Sequence, residues 1–316
     1  MERVDLFKDI AERTGGDIYL GVVGAVRTGK STFIKKFMEL VVLPNIASES
    51  ERARAQDELP QSAAGRTIMT TEPKFVPNQA ISVHVDEGLE VNIRLVDCVG
   101  YTVPGAKGYE DENGPRMINT PWYEEPIPFH EAAEIGTRKV IQEHSTIGVV
   151  VTTDGSIGEI GRGDYIQAEE RVIEELKEVG KPFIMVINSA RPHAPETEDL
   201  RVKLQDKYDI PVLAMSVESM RDSDVLNVLR EALFEFPVLE VNVNLPSWVM
   251  VLKEEHWLRQ NYQEAVKETV KDIKRLRDVD RVVHYFSEFD HIERAGLAGI
   301  DMGQGIAEID LYAPDE

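Results

Sequence analysis

The chain has 316 residues, 42% of them apolar, which is enough for a packed α/β domain plus something smaller. Its 57 carboxylates against 35 lysines and arginines leave a formal charge of −22. Such a surface repels phosphate backbones and anionic lipid heads, so nucleic-acid binding and direct membrane insertion are disfavoured as main activities. Cys98 is the one cysteine, so no internal disulfide forms and a reducing compartment is expected. The amphipathic start, MERVDLFKDIAERTGG, lacks a signal-peptide core, and no apolar run approaches the roughly 20 residues that span a bilayer. The expectation is a cytoplasmic protein whose membrane attachment, where it has one, comes from a partner.

From residue 17 to about 236, apolar runs alternate with helical periodicity. The runs predict strands at 18–24, 81–87, 89–97, 146–154, 182–188 and 210–216, and helices at 30–42, 129–144, 164–179, 196–208 and 222–235. Strands alternating with helices imply a mostly parallel sheet with helices on both faces. Gly88 joins two of the strands as a hairpin, which predicts one antiparallel edge. Residues 44–72 are polar without periodicity, and 100–128 are crowded with Gly, Pro and carboxylates; long irregular stretches of this kind are usually functional or mobile. Both fall where nucleotide-sensing loops would lie. The texture then changes. Residues 248–277 predict one long helix, with Leu252, Tyr262, Val266, Val270, Ile273 and Leu276 at three- and four-residue steps, a stripe read as core. GIAEIDLYAP alternates as a strand. The expected division is therefore a first domain over 1–237 and, over 238–316, the start of a smaller α+β domain, since roughly 75 residues is little for an independent core.

Gly24-Ala25-Val26-Arg27-Thr28-Gly29-Lys30-Ser31 fits G-x-x-x-x-G-K-[ST], with an apolar strand before it, and Thr32 follows in the helix pattern as a further candidate contact to the nucleotide. Such a loop turns successive N–H groups toward phosphate oxygens at a helix N-terminus; Lys30 would reach the β- and γ-phosphates and Ser31 would ligate Mg²⁺. Asp97 ends a strand one hairpin downstream, and Asp97-x-x-Gly100 is the pattern in which the carboxylate holds a Mg²⁺ water and the Gly N–H senses the γ-phosphate. Between them, GRTIMTTEPKF offers a threonine for the metal, Thr70 or Thr71 with Thr67 a poorer third, the alternative being a β-prone threonine pair that opens a strand. Guanine-specific relatives end the corresponding strand with N-K-x-D; here it reads Asn188-Ser189-Ala190-Arg191. Arg191 has donors only and cannot accept guanine's two N–H groups, so ATP is the expected nucleotide. Tyr101 stands where a water-orienting Gln often does, which predicts slow hydrolysis unless another group places the water. Arg27 is either a charge supplied in cis to the phosphates or a solvated loop arginine. The histidines lack zinc-ligand spacing, and Cys98 reads as a small buried filler.

Together the strings GAVRTGKSTFIKKFMELVVLPNI, LVDCVGYTVPGAKGYED, VVTTDGSIGEIGR and NSARP closely resemble the stage IV sporulation protein A family of endospore-forming bacteria. The resemblance is strong over 1 to about 240 and extends to the end. It implies a P-loop ATPase domain of the translation-factor-related class followed by part of a middle domain. It also implies a cytoskeletal scaffold in the mother-cell cytosol that hydrolyses ATP, changes conformation and self-assembles into the basement layer of the spore coat at the forespore surface. Implied partners are other copies of the protein, a small amphipathic membrane-anchoring peptide and further coat morphogenetic proteins. Lys30, Thr70, Thr71 and Asp97 match the family's P-loop lysine, sensor threonines and Walker B aspartate. The resemblance implies membrane targeting and polymerisation for family members, which run past residue 316.

Overall fold

A computed structural model describes residues 2–60, 73–86, 88–106, 110–111, 114–119 and 123–314. The chain divides into two compact units, Met1–Ala232 and Leu233–Glu316.

The first unit is built on six strands: β1 (Asp17–Val23), β2 (Lys74–Asp86), β3 (Leu89–Asp97), β4 (Ile147–Thr153), β5 (Phe183–Asn188) and β6 (Val212–Met215), in spatial order β6-β5-β4-β1-β3-β2. All neighbours are parallel except β2 against β3, the hairpin turned at Gly88, where φ is +82°. Every residue of β4 and β5 is buried, so both faces of the central strands are covered. That explains why they read as unbroken apolar runs. Helix α1 (Arg3–Thr14) covers β1 to β3 with Leu6, Phe7 and Ile10, and ends at Gly15 in the left-handed region. Helix α2 (Lys30–Phe37) packs on β1 and β3. Helix α3 (Glu49–Asp57) lies in the stretch expected to be irregular. Its signal was a capping box, Ser48-x-x-Glu51, whose hydroxyl accepts the Glu51 N–H at 3.4 Å. Only Ala55 of this helix is buried, so no periodicity marks it. The later helices are α4 (Phe129–His144), α5 (Arg162–Val179), α6 (Pro195–Tyr208) and α7 (Asp222–Phe234).

The helix expected over 30–42 is α-helical only to Phe37; Met38–Val42 widens into a π-turn in which the Leu43 N–H reaches the Met38 carbonyl. Pro44 follows, with a ring that would crowd the carbonyl four residues back, and the wider turn relieves it. Between 101 and 128 the described backbone forms two short antiparallel strand pairs, Glu110–Asp111 with Gly114–Pro115 and Met117–Ile118 with Ile127–Pro128.

The second unit has three strands, β7 (Glu240–Asn244), β8 (Arg294–Asp301) and β9 (Ile306–Tyr312), ordered β7-β9-β8 with β7 parallel and β8 antiparallel to β9. The single helix expected over 248–277 is broken. Helix α8 (Ser247–Val251) stops where Leu252 turns extended, and α9 (Trp257–Val270) starts afresh, capped by His256, whose Nδ1 accepts the Leu258 N–H at 3.2 Å. After Val270 the chain turns again, and the Asp278 carboxylate takes the Arg275 N–H at 2.9 Å ahead of α10 (Asp278–Val283). Local side-chain caps thus beat an apolar periodicity that runs on across the breaks. Val249, Tyr262, Ala265, Val279, Phe286 and Ile309 are at the centre of a core belonging to this unit alone.

Candidate nucleotide site

The order of the strands reverses around β1: the chain goes to β2 and β3 on one side and to β4, β5 and β6 on the other. In open α/β sheets, ligands bind beyond the carboxyl ends of the strands at such a reversal. The loop Gly24–Gly29 occupies that place, between the end of β1 and the start of α2. Gly24 has φ +135° and Gly29 φ +97°, and an added Cβ on Gly24 would meet the Val151 carbonyl oxygen of β4 at 2.3 Å. Arg27, at φ +64°, is one of two non-glycine residues in that region among the described residues, a placement that costs backbone strain.

Lys30 and Asp97 meet here because β1 and β3 are parallel neighbours in a register that sets Val22 beside Asp97. Both side chains are buried. The Lys30 ammonium donates to the Ala25 carbonyl at 2.7 Å, and burial lowers its pKa to about 8 against the pull of Asp97. Burial raises the Asp97 carboxyl, opposed by the hydroxyl of Ser31, which donates to it at 2.6 Å, and by Lys30 and Lys74. Thr28 is buried and donates to the Ala25 carbonyl at 3.0 Å, closing the loop on itself. Gly100 lies so close that a Cβ on it would stand 2.5 Å from Lys30 Nζ. The downstream segment is tied to the loop by backbone: Val26 N–H donates to the Tyr101 carbonyl at 2.9 Å and Tyr101 N–H to the Gly24 carbonyl at 3.2 Å. Cys98 is buried and its thiol is pushed up by that burial, the state of a packing residue.

Tyr101 is buried, with its hydroxyl committed to Glu175 of α5 at 2.6 Å, and burial together with that carboxylate raises its pKa. Asn188 braces the loop in a way its residue type alone did not reveal. Its Nδ2 donates to the Thr28 carbonyl at 3.0 Å, and its Oδ1 accepts the Val217 N–H at 3.1 Å. Ser189 is buried and donates to Asp154 at 2.6 Å. Burial works against the Asp154 charge, yet hydrogen bonds from Ser156, Ser189 and Thr197 outweigh it and hold the carboxyl below its usual range. Arg191 lines a cleft of about 480 Å³ at the carboxyl ends of β4 and β5, along with Asp154, Ser156, Arg162, Thr197 and Lys203. Arg162 is clamped by Glu169, buried in α5, at 2.7 and 2.9 Å. Sequence reading missed this ion pair, because a carboxylate on a helix gives no hint of being turned inward. Thr67, Thr70 and Thr71 lie outside the described residues.

Two family models account for the length of the chain: "Stage IV sporulation protein A, ATPase domain" over residues 1–237 and "Stage IV sporulation protein A, middle domain" over 238–316. The chain belongs to the stage IV sporulation protein A family. It is 87% identical over 315 residues to stage IV sporulation protein A of Bacillus subtilis (strain 168), and 84% identical over 316 residues to that of Bacillus anthracis. The likeness falls to 47% over 312 residues for the protein of Clostridioides difficile (strain 630). It spans 64% of the length of each of these relatives. The loop, Asp97 and Asn188 all fall within the part that matches the family's ATPase domain.

Proposed function

We propose that the chain binds ATP with Mg²⁺ and hydrolyses it slowly, and that hydrolysis switches the protein into a state that self-assembles as the basement layer of the spore coat. One observation carries the enzymatic part: a buried lysine, a hydroxyl and a carboxylate converge on a phosphate-binding loop inside a region that matches an ATPase domain. The mixed sheet, with its one antiparallel edge at β2, supports the translation-factor-related class of P-loop proteins. The donor set suits a small hard cation, since Ser31 and Asp97 present oxygen atoms only. Ser31 and Asp97 would hold the magnesium, with Thr70 or Thr71 joining them. Bound there, the ion would neutralise charge on the phosphate oxygens.

The remaining roles follow from the chain's own groups. Backbone N–H groups from Arg27 to Thr32 would line the phosphates, and Lys30 regains full protonation when a phosphate oxygen becomes its neighbour. Asn188 fixes the loop from beneath, and the Gly100 N–H reports on the γ-phosphate. Arg27 supplies positive charge in cis as the bond to the leaving phosphate lengthens. Tyr101, tied to Glu175, is not free to orient water, which supports a slow reaction that sets a state. Arg191 on the cleft offers guanine no acceptor, which favours ATP. The resemblance supports assembly at the forespore surface from the mother-cell cytosol, through the amphipathic anchoring peptide and other coat morphogenetic proteins. No helix among the described residues is long and apolar enough to cross a membrane.

Phosphate release with magnesium, comparing ATP with GTP and the native chain with Lys30→Ala, tests the proposal. Release specific to ATP and lost in the variant is expected. A preference for GTP sinks the base argument, and Arg191→Asp, expected to move preference toward GTP, checks it from the other side. Sedimentation of a full-length relative with ATP, with and without Lys30→Ala, tests assembly: equal pelleting would separate polymerisation from hydrolysis.

A further inference from the structure

Helix α8, Ser-Trp-Val-Met-Val, is apolar on every side after its first residue, the pattern of a helix covered all round. Only Val249 is buried. Trp248 is 50% exposed, Met250 54%, Val251 86% and, across the corner, Trp257 of α9 64%. Four large apolar side chains within ten residues stand exposed around this corner of the second unit, a density of the kind that marks an interaction surface. The corner is held in place: Arg259 Nη1 donates to the Leu252 carbonyl at 2.7 Å, and His256 caps α9 and stacks on Trp257 with ring centroids 5.9 Å apart. The patch is therefore a fixed surface rather than a frayed end.

The sheet indicates what covers it. Strand β9 runs parallel to β7, pairing Asp310 with Asn244, whose side chain donates to it at 2.8 Å. Strand β7 leads through Leu245 and Pro246 straight into α8. The carboxyl end of β9 thus emerges at the same end of the sheet as the patch. The matched part is 64% of each relative's length, and the model matching this unit is described as a middle domain. We propose that the exposed apolar face of α8 and the first turn of α9 is the seat of the segment that continues past residue 316 in the longer relatives. A tethered segment leaving Tyr312 meets the patch at high effective concentration. A second copy is the competing occupant; Glu255 and Glu254, the latter 3.8 Å from Arg259, flank the face on chains of charge −22 and work against pairing it with itself.

The test is hydroxyl-radical footprinting read residue by residue, on the full-length Bacillus subtilis relative and on the 316-residue chain, dilute and without lipid. Trp248 and Trp257 are expected to oxidise about tenfold more slowly in the longer protein, the protection that about 1.4 kcal/mol of docking gives. Val251→Cys, at an exposed position that tolerates the change, should likewise react more slowly with a soluble maleimide in the longer protein. Equal rates in the two chains overturn the proposal. Protection that grows with protein concentration, or that arises only with added vesicles, also overturns it, in favour of a second copy or a lipid surface.

Discussion

Lys30 should weaken the ligand-free protein it serves. Its ammonium titrates at about 8 instead of 10.5 because it is buried. At pH 7, holding it charged costs about 3 kcal/mol, at about 1.4 kcal/mol for each tenfold loss of proton affinity. Lys30→Met keeps the bulk and removes the charge. It gives up one hydrogen bond to Ala25, worth about 1 kcal/mol, while that carbonyl keeps its bond from Thr28. The variant should therefore be more stable than the native chain at pH 7 by about 2 kcal/mol, although it releases no phosphate. The pH dependence carries the sign. Below about 8 the lysine is protonated in both folded and unfolded states and contributes no slope. Between about 8 and 10.5 the unfolded chain binds more protons, so native stability rises with pH while the variant lacks that rise. The advantage of Lys30→Met should shrink through this window and be gone by its upper end. Urea unfolding without nucleotide, followed by hydrogen exchange at β1 and β4, reads the first unit directly. A variant less stable than the native chain at pH 7, or a difference unchanged between pH 7 and 10, would refute the reasoning.

The same lysine makes ATP binding proton-linked: affinity measured by calorimetry should fall about tenfold per pH unit above about 8, and a flat profile would mean Lys30 does not hold the phosphates. Gly24→Ala puts a Cβ against the Val151 carbonyl at a φ of +135° and should destabilise the first unit by at least about 2 kcal/mol, seen as a lower urea midpoint. Arg27→Gly separates two roles. It should relieve about 1 kcal/mol of left-handed strain while slowing single-turnover phosphate release at least about tenfold; an unchanged rate would remove Arg27 from the catalytic groups. Glu169→Ala strips the buried partner of Arg162 and should cost about 3 to 5 kcal/mol in thermal or urea unfolding, with part recovered when Arg162→Met is added, since Thr152 and Tyr208 lose the same acceptor.

The residues of the candidate phosphate loop are legible because the pattern binds them to one another in sequence. A loop of eight residues has to combine glycines, lysine and serine at set spacings, and Asp97 has to end an apolar strand. The central sheet was readable for a similar reason: strands buried on both faces allow almost nothing but apolar residues, as β4 and β5 illustrate. Where one local signal competes with another, the reading failed. The apolar stripe across 248–277 is real, and Tyr262 and Leu276 are buried as a core would have them, yet His256 and Asp278 break the helix with caps of their own. Helix α3 went unseen because a helix that buries one alanine leaves no period to detect.

By itself the sequence determined the loop, its lysine, the strand-end aspartate and the missing guanine acceptor, all properties of residue type and spacing. Only the tertiary structure decided that Asn188 braces Thr28 across 160 positions of chain, that Tyr101 spends its hydroxyl on Glu175, and that the end of β9 emerges beside α8. Those contacts depend on which strands become neighbours and in what register. Long-range pairing of that kind leaves no mark on the local order of residues.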